Sequence, residues 1–115
     1  MANYKKSADT RLATYGTLAP GRVNNDQLAD LKGHWRQGTV RGRLVEAGWG
    51  AELGYPGLIL DPSGQDIGVY IFESSELPNH WPRLDEFEGA GYRRVVTRAY
   101  TVEGDLDTSI YVIDA

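Results

Sequence analysis

The chain has 115 residues, a formal net charge of -4, no cysteine and only His34 and His80 as histidines. That length allows one domain with one core, and the acidic balance argues against nucleic acid or an anionic membrane as main partner. Without cysteine there are no disulfides, thiolate nucleophiles or thiolate metal sites, and the two histidines are not at ligand spacing, so no metal is expected. Any chemistry must come from carboxylates, hydroxyls, arginines or backbone amides.

Residues 1–10 are polar and patternless and read as a loose leader, with a single domain over 11–115. Arg11 to Tyr15 alternates weakly and predicts a first, buried strand. It runs into Tyr15-Gly16-Thr17-Leu18-Ala19-Pro20-Gly21, a loop able to present consecutive amide hydrogens to an anion, or a plain strand-to-helix turn. Asn25 can cap a short helix to about Leu31, with Leu28 and Leu31 facing the core. His34 to Val45 reads as a long strand with Val40, Gly42 and Leu44 on one face; Gly38 and Gly42 imply a bulge or tight curvature.

Gly48 to Gly57 is a glycine-rich loop in which Trp49 either walls a pocket or lids the end of the sheet. Leu58 to Leu60 is a short strand, and Asp61-Pro62-Ser63-Gly64 fits a type I turn. Asp66 to Phe72 is apolar on both faces and reads as central. A helix starting near Asn79 follows. Tyr92 to Val102 is the longest strand, with Val95, Thr97 and Ala99 on its core face; Glu103-Gly104-Asp105 turns the chain, and Thr108 to Ile113 pairs back. Strands with two short helices, curved by internal glycines, predict an α+β domain built on a small, partly open mixed β-barrel. No apolar run approaches a bilayer span and nothing near Met1 resembles a secretory signal, so the expected address is cytoplasmic, with no membrane partner.

One residue breaks the pattern. Trp81, Leu84 and Glu88 stand at i, i+3 and i+7 and share a helix face, with Phe87 beside them. A carboxylate therefore occupies an apolar position, in a last turn whose unpaired carbonyls disfavour an anion. Both effects raise its pKa towards that of a usable general base. The plainer reading is that Glu88 reaches out to water or caps a neighbouring amide.

Three motifs stand in order: Y-G-T-L-A-P-G at Tyr15 to Gly21, G-Y-P-G-L at Gly54 to Leu58, and L-D-E-F-E-G at Leu84 to Gly89 followed by G-Y-R-R at Gly91 to Arg94. From about Thr14 to Val112 the chain resembles the γ-glutamylcyclotransferase-like superfamily, and within it the short γ-glutamylamine cyclotransferase (avirulence-induced-gene-like) branch. The resemblance implies that fold and makes Glu88 the general acid/base. It further implies that Tyr15, Gly16, Thr17 and Leu18 hold the substrate, largely through backbone amides, that Tyr92 borders the cavity, and that Asp85 is structural. The implied reaction cyclises the γ-glutamyl group of a small amine or peptide to 5-oxoproline and needs no cofactor. The leaving amine and the oligomeric state are not legible in the residues. The competing reading is a non-catalytic protein that binds an amino-acid-like ligand in the same cavity. A glycosidase pair of Asp85 and Glu88 is disfavoured, since at i and i+3 both would approach a sugar from one side.

Overall fold

A computed structural model of the chain describes residues 8–15, 26–46, 56–89 and 91–113. Its strands are β1 (Arg11–Thr14), β2 (His34–Glu46), β3 (Pro56–Leu60), β4 (Gln65–Glu73), β5 (Tyr92–Thr101) and β6 (Gly104–Ile113), with helices α1 (Asp26–Ala29) and α2 (Trp81–Glu88). The sheet order is β3-β2-β4-β1-β6-β5, and β5 returns to β2. Five strands thus close a barrel and β3 is added against β2. Pairing is antiparallel apart from β1 with β6, which is parallel through Leu12–Ser109 and Ala13–Ile110. The α+β mixed barrel expected from sequence is present, and its seam is one pair wide, Thr39 opposite Tyr100. Gly38 makes that approach possible, because a Cβ there would stand 2.9 Å from the Tyr100 carbonyl oxygen.

Period-two alternation feeds two cores on opposite faces of the sheet. Ala13, Ile71 and Ile110 point into the barrel with Val40, Leu58, Val69 and Ala99. Their chain neighbours Leu12, Phe72 and Tyr111 point outwards, under Leu28, Leu31, Leu77, Trp81 and Leu84. The central strand β4 is accordingly apolar on both sides at its end, as its sequence predicts. Trp35 packs on Phe72 with ring centroids 4.9 Å apart. The Asp61–Gly64 turn also forms, Gly64 N–H donating to the Asp61 carbonyl at 2.8 Å.

Several boundaries differ from the sequence reading: α1 ends at Ala29, β3 starts at Pro56 and β4 gains a residue at each end. Helix α2 begins at Trp81, not Asn79. Leu77–Asn79 form a 3-10 turn, and the N-cap is His80, with no side-chain cap bond. Pro82 has no N–H to give, so the α-helical ladder cannot extend back through it; Leu84 N–H to His80 O, 3.0 Å, is an early rung. The last hairpin turns at Val102–Glu103, since Thr101 pairs with Gly104, and β6 therefore starts at Gly104, not Thr108. Thr101 Oγ1 closes this short loop by donating to Gly104 O at 2.8 Å and accepting from Glu103 N–H at 3.1 Å. Gly104 takes φ 124°, a region open to glycine.

Residues 8–10, expected within the leader, are held in the domain. Ala8 is buried and its carbonyl accepts Ser109 Oγ–H at 2.8 Å. The Asp9 carbonyl accepts the Trp81 indole N–H at 3.0 Å, and the Thr10 carbonyl accepts Ser74 N–H at 2.8 Å. Residues 1–7, the expected Asn25 cap and the Trp49 loop through Tyr55 lie outside the described residues. Among the described residues no helix is long and apolar enough to cross a membrane.

Candidate active site

Helix α2 is short, so tertiary packing holds it in place of propensity. Trp81 and Leu84 are buried against the outer core, and Phe87 packs beside them. Arg83 reaches α1, donating to the Gln27 side chain and carbonyl at 3.0 and 2.9 Å. At the far end Gly89 adopts φ 87°, its N–H donates to Asp85 O at 3.1 Å, and its own carbonyl accepts Tyr92 N–H at 3.2 Å. The chain thus turns straight from Glu88 into β5, which sets Glu88 and Tyr92 at one corner of the barrel.

Two of the three carboxyls in α2's last turn, Asp85 and Glu88, are driven apart in proton affinity. Burial pushes Glu88 up from its ordinary 4.5 to about 7. Burial also acts on Asp85, but hydrogen bonds from Arg94 and Tyr111, with the Arg94 charge, outweigh it and hold Asp85 below the usual carboxylate range. Arg94 spans the carboxylate, Nε to Oδ1 at 3.0 Å and Nη2 to Oδ2 at 3.3 Å, while its guanidinium lies 4.3 Å over the Trp81 ring. Tyr111 Oη donates to Asp85 Oδ1 at 2.6 Å. Asp85 therefore remains ionised and ties α2 to β5 and β6, while Glu88 sits near neutrality, able to take and return a proton. Glu86 is exposed.

Tyr15 lies at the end of β1 beside this corner. Its phenol donates to the Tyr111 carbonyl at 2.7 Å and accepts Leu58 N–H at 3.1 Å. The one phenolic proton is thereby committed to the scaffold, and Tyr15 is fixed to β3 and β6. Burial raises the Tyr15 pKa, and the nearby Glu88 and Tyr92 add to the rise. Burial and then Glu88 raise Tyr92. Burial and the bond to Asp85 raise Tyr111, with Glu88 contributing. Glu88 thus adds to the rise at three phenols, Tyr15 just after β1, Tyr92 on β5 and Tyr111 on β6.

Of the residues singled out from sequence, Glu88, Tyr15 and Tyr92 are brought together. Gly16, Thr17 and Leu18 lie outside the described residues. Tyr111 and Arg94 were missed as parts of the site. Tyr111 carried a signal: a phenol within the aliphatic run Ile110 to Ile113 needs a polar partner for its hydroxyl. Arg94 could be placed only once β5 was seen beneath α2.

Several solved structures share this fold. A structure of YkqA from Bacillus subtilis is 26% identical with TM-score 0.71, covering 91% of this chain and 36% of its own. The chain therefore spans little more than a third of that protein. An AIG2-like protein from Mus musculus is 24% identical with TM-score 0.73, over 91% of this chain and 77% of its own. An uncharacterized protein from Pyrococcus horikoshii is 20% identical with TM-score 0.64, over 92% and 79%. None of the curated proteins matches the chain. The family model described as "Gamma-glutamyl cyclotransferase, AIG2-like" matches residues 12–115, and the chain belongs to that family, with a cyclotransferase-type function in general.

Proposed function

We propose that this chain is a γ-glutamylamine cyclotransferase that converts a small γ-glutamyl amine or peptide to 5-oxoproline and a free amine. The observation that carries the reading is Glu88, a partly buried carboxyl raised to about 7 beside Tyr15 and Tyr92. Glu88 takes a proton from the substrate's α-ammonium. The freed amine attacks the γ-carbonyl carbon, a C–N bond closes the five-membered ring, and the carbonyl oxygen carries the charge. Glu88 then returns the proton to the leaving nitrogen as the original amide C–N bond breaks and the γ-carbonyl re-forms. The ring nitrogen gives its remaining extra proton to the released amine, which departs as an ammonium and leaves Glu88 ionised again.

The nucleophile belongs to the substrate, so the reaction as written calls on no serine, cysteine, metal or cofactor. Folding the substrate into an attacking conformer supplies up to about 7–11 kcal/mol of barrier reduction in favourable cases, and acid-base catalysis adds about 10²–10⁴-fold. Backbone amides at Gly16, Thr17 and Leu18 are assigned to the substrate's α-carboxylate or the developing oxyanion. The net charge of -4 fits a small metabolite in preference to nucleic acid or an anionic membrane, and a cytoplasmic address belongs to the same reading.

The test is a panel of γ-glutamyl amines and peptides assayed for 5-oxoproline, with Glu88→Gln as control. Turnover by the wild type and its loss in a folded Glu88→Gln protein is the expected result. Tight binding of panel members without turnover would replace this reading with that of a binding protein.

A further inference from the structure

One residue touches both sides of the candidate site. The Tyr111 carbonyl accepts the Tyr15 phenol at 2.7 Å, and the Tyr111 phenol donates to Asp85 Oδ1 at 2.6 Å, one helical turn before Glu88. Both distances are ordinary for well-formed O–H···O bonds. The chain of contacts continues at both ends: Leu58 N–H to the Tyr15 oxygen at 3.1 Å, and Arg94, stacked on Trp81, to Asp85. β6 thereby holds the residue leading into Gly16 with its backbone and the end of α2 with its side chain. The two grips are chemically separable, because a side-chain change at Tyr111 leaves its carbonyl in place.

We propose that Tyr111 is a positioning residue for the cyclisation, fixing Glu88 relative to the Tyr15 end of β1 through Asp85. This deepens the function proposed above and rests on it. Asp85 is the link: α2 meets the sheet through Arg94 and Tyr111 at this carboxylate, so the last turn carrying Glu88 is clamped to β5 and β6 together. The titratable groups whose proton affinity Glu88 influences are Tyr15 just after β1, Tyr92 on β5 and Tyr111 on β6, with Asp85 and its partner Arg94 one turn away. Loosening the clamp lets water reach the Glu88 carboxyl, and burial is what raises it.

The experiment measures kcat, KM and the Glu88 carboxyl titration by carbon NMR in four variants. Tyr111→Phe removes the Asp85 bond alone; it should lower kcat by about 10- to 100-fold with little change in KM, and move Glu88's midpoint down from about 7 towards 4.5. Tyr15→Phe removes the other grip and should act mainly on KM. Asp85→Asn keeps an oxygen for the Tyr111 phenol, so it should retain more kcat than Asp85→Ala. A folded Tyr111→Phe with wild-type kcat and unmoved Glu88 titration would overturn the proposal; so would Asp85→Asn that is no better than Asp85→Ala. If Tyr111→Phe does not fold, the Asp85 pair decides. Should the wild type release no 5-oxoproline from any panel member, the proposed function falls, and the Glu88 titration alone judges the clamp.

Discussion

Replacing Glu88 by glutamine should make the protein more stable at alkaline pH, whatever its substrate. A carboxyl at about 7 in the folded state and 4.5 in the unfolded state binds its proton more tightly when folded. Below about pH 4.5 the group is protonated in both states and has no ionisation cost. As pH rises towards 7 the unfolded chain ionises first, and stability falls until both states are charged. The full difference is about 3 kcal/mol for the shift from 4.5 to about 7. Glutamine keeps the size and polarity of the side chain and abolishes the titration, so the variant escapes that loss. Urea unfolding of both proteins at pH 4.5, 6 and 8 measures it. The variant's advantage should be near zero at pH 4.5, intermediate at pH 6 and about 3 kcal/mol at pH 8, or roughly 10 °C in melting temperature for a domain of this size. Other titrating groups are common to both chains and cancel in the difference. Curves that stay parallel across this range would refute the claim that burial raises Glu88, and with it the acid-base role.

Three further outcomes follow from the same geometry. A profile of kcat/KM against pH should show an acidic limb near 7, where Glu88 loses its proton and becomes a base; a flat profile between about pH 5 and 8 would remove it from proton transfer. Leu84→Ala empties a fully buried site under α2 and should cost about 2–5 kcal/mol in denaturant unfolding. Gly38→Ala drives a Cβ to 2.9 Å from the Tyr100 carbonyl oxygen, and should cost about 1–3 kcal/mol and speed amide exchange at the β2–β5 seam. Gly68→Ala, on the same sheet but with nothing within 4 Å of the new Cβ, is the control and should be neutral or slightly stabilising.

Local pattern reads which face a side chain takes, and that is why much was legible here. The stripe Trp81, Leu84, Glu88 needed only helical periodicity, and the Asp61–Gly64 turn only its proline and glycine. Both appear in the structure, as does the inward face of β5 at Val95 and Ala99. The odd carboxylate on an apolar stripe was visible for the same reason. Where prediction slipped, at the start of α2 and the turn before β6, the deciding contacts were single bonds at element ends, which periodicity does not register.

Which strand lies beside which is another matter. The parallel pairing of β1 with β6 and the one-pair closure of β2 on β5 join residues more than sixty positions apart, and many pairings would satisfy the same alternation. The acidity of Glu88 was therefore foreseeable in direction from the sequence alone. Its company was not: Tyr15, Tyr92 and Tyr111 come from three strands, and Asp85 keeps its charge because β5 brings Arg94 and β6 brings Tyr111 to it. Proton affinity is set by burial and neighbours in space, so tertiary structure alone could decide which of two carboxylates on one helix stays ionised and which comes to rest near neutrality.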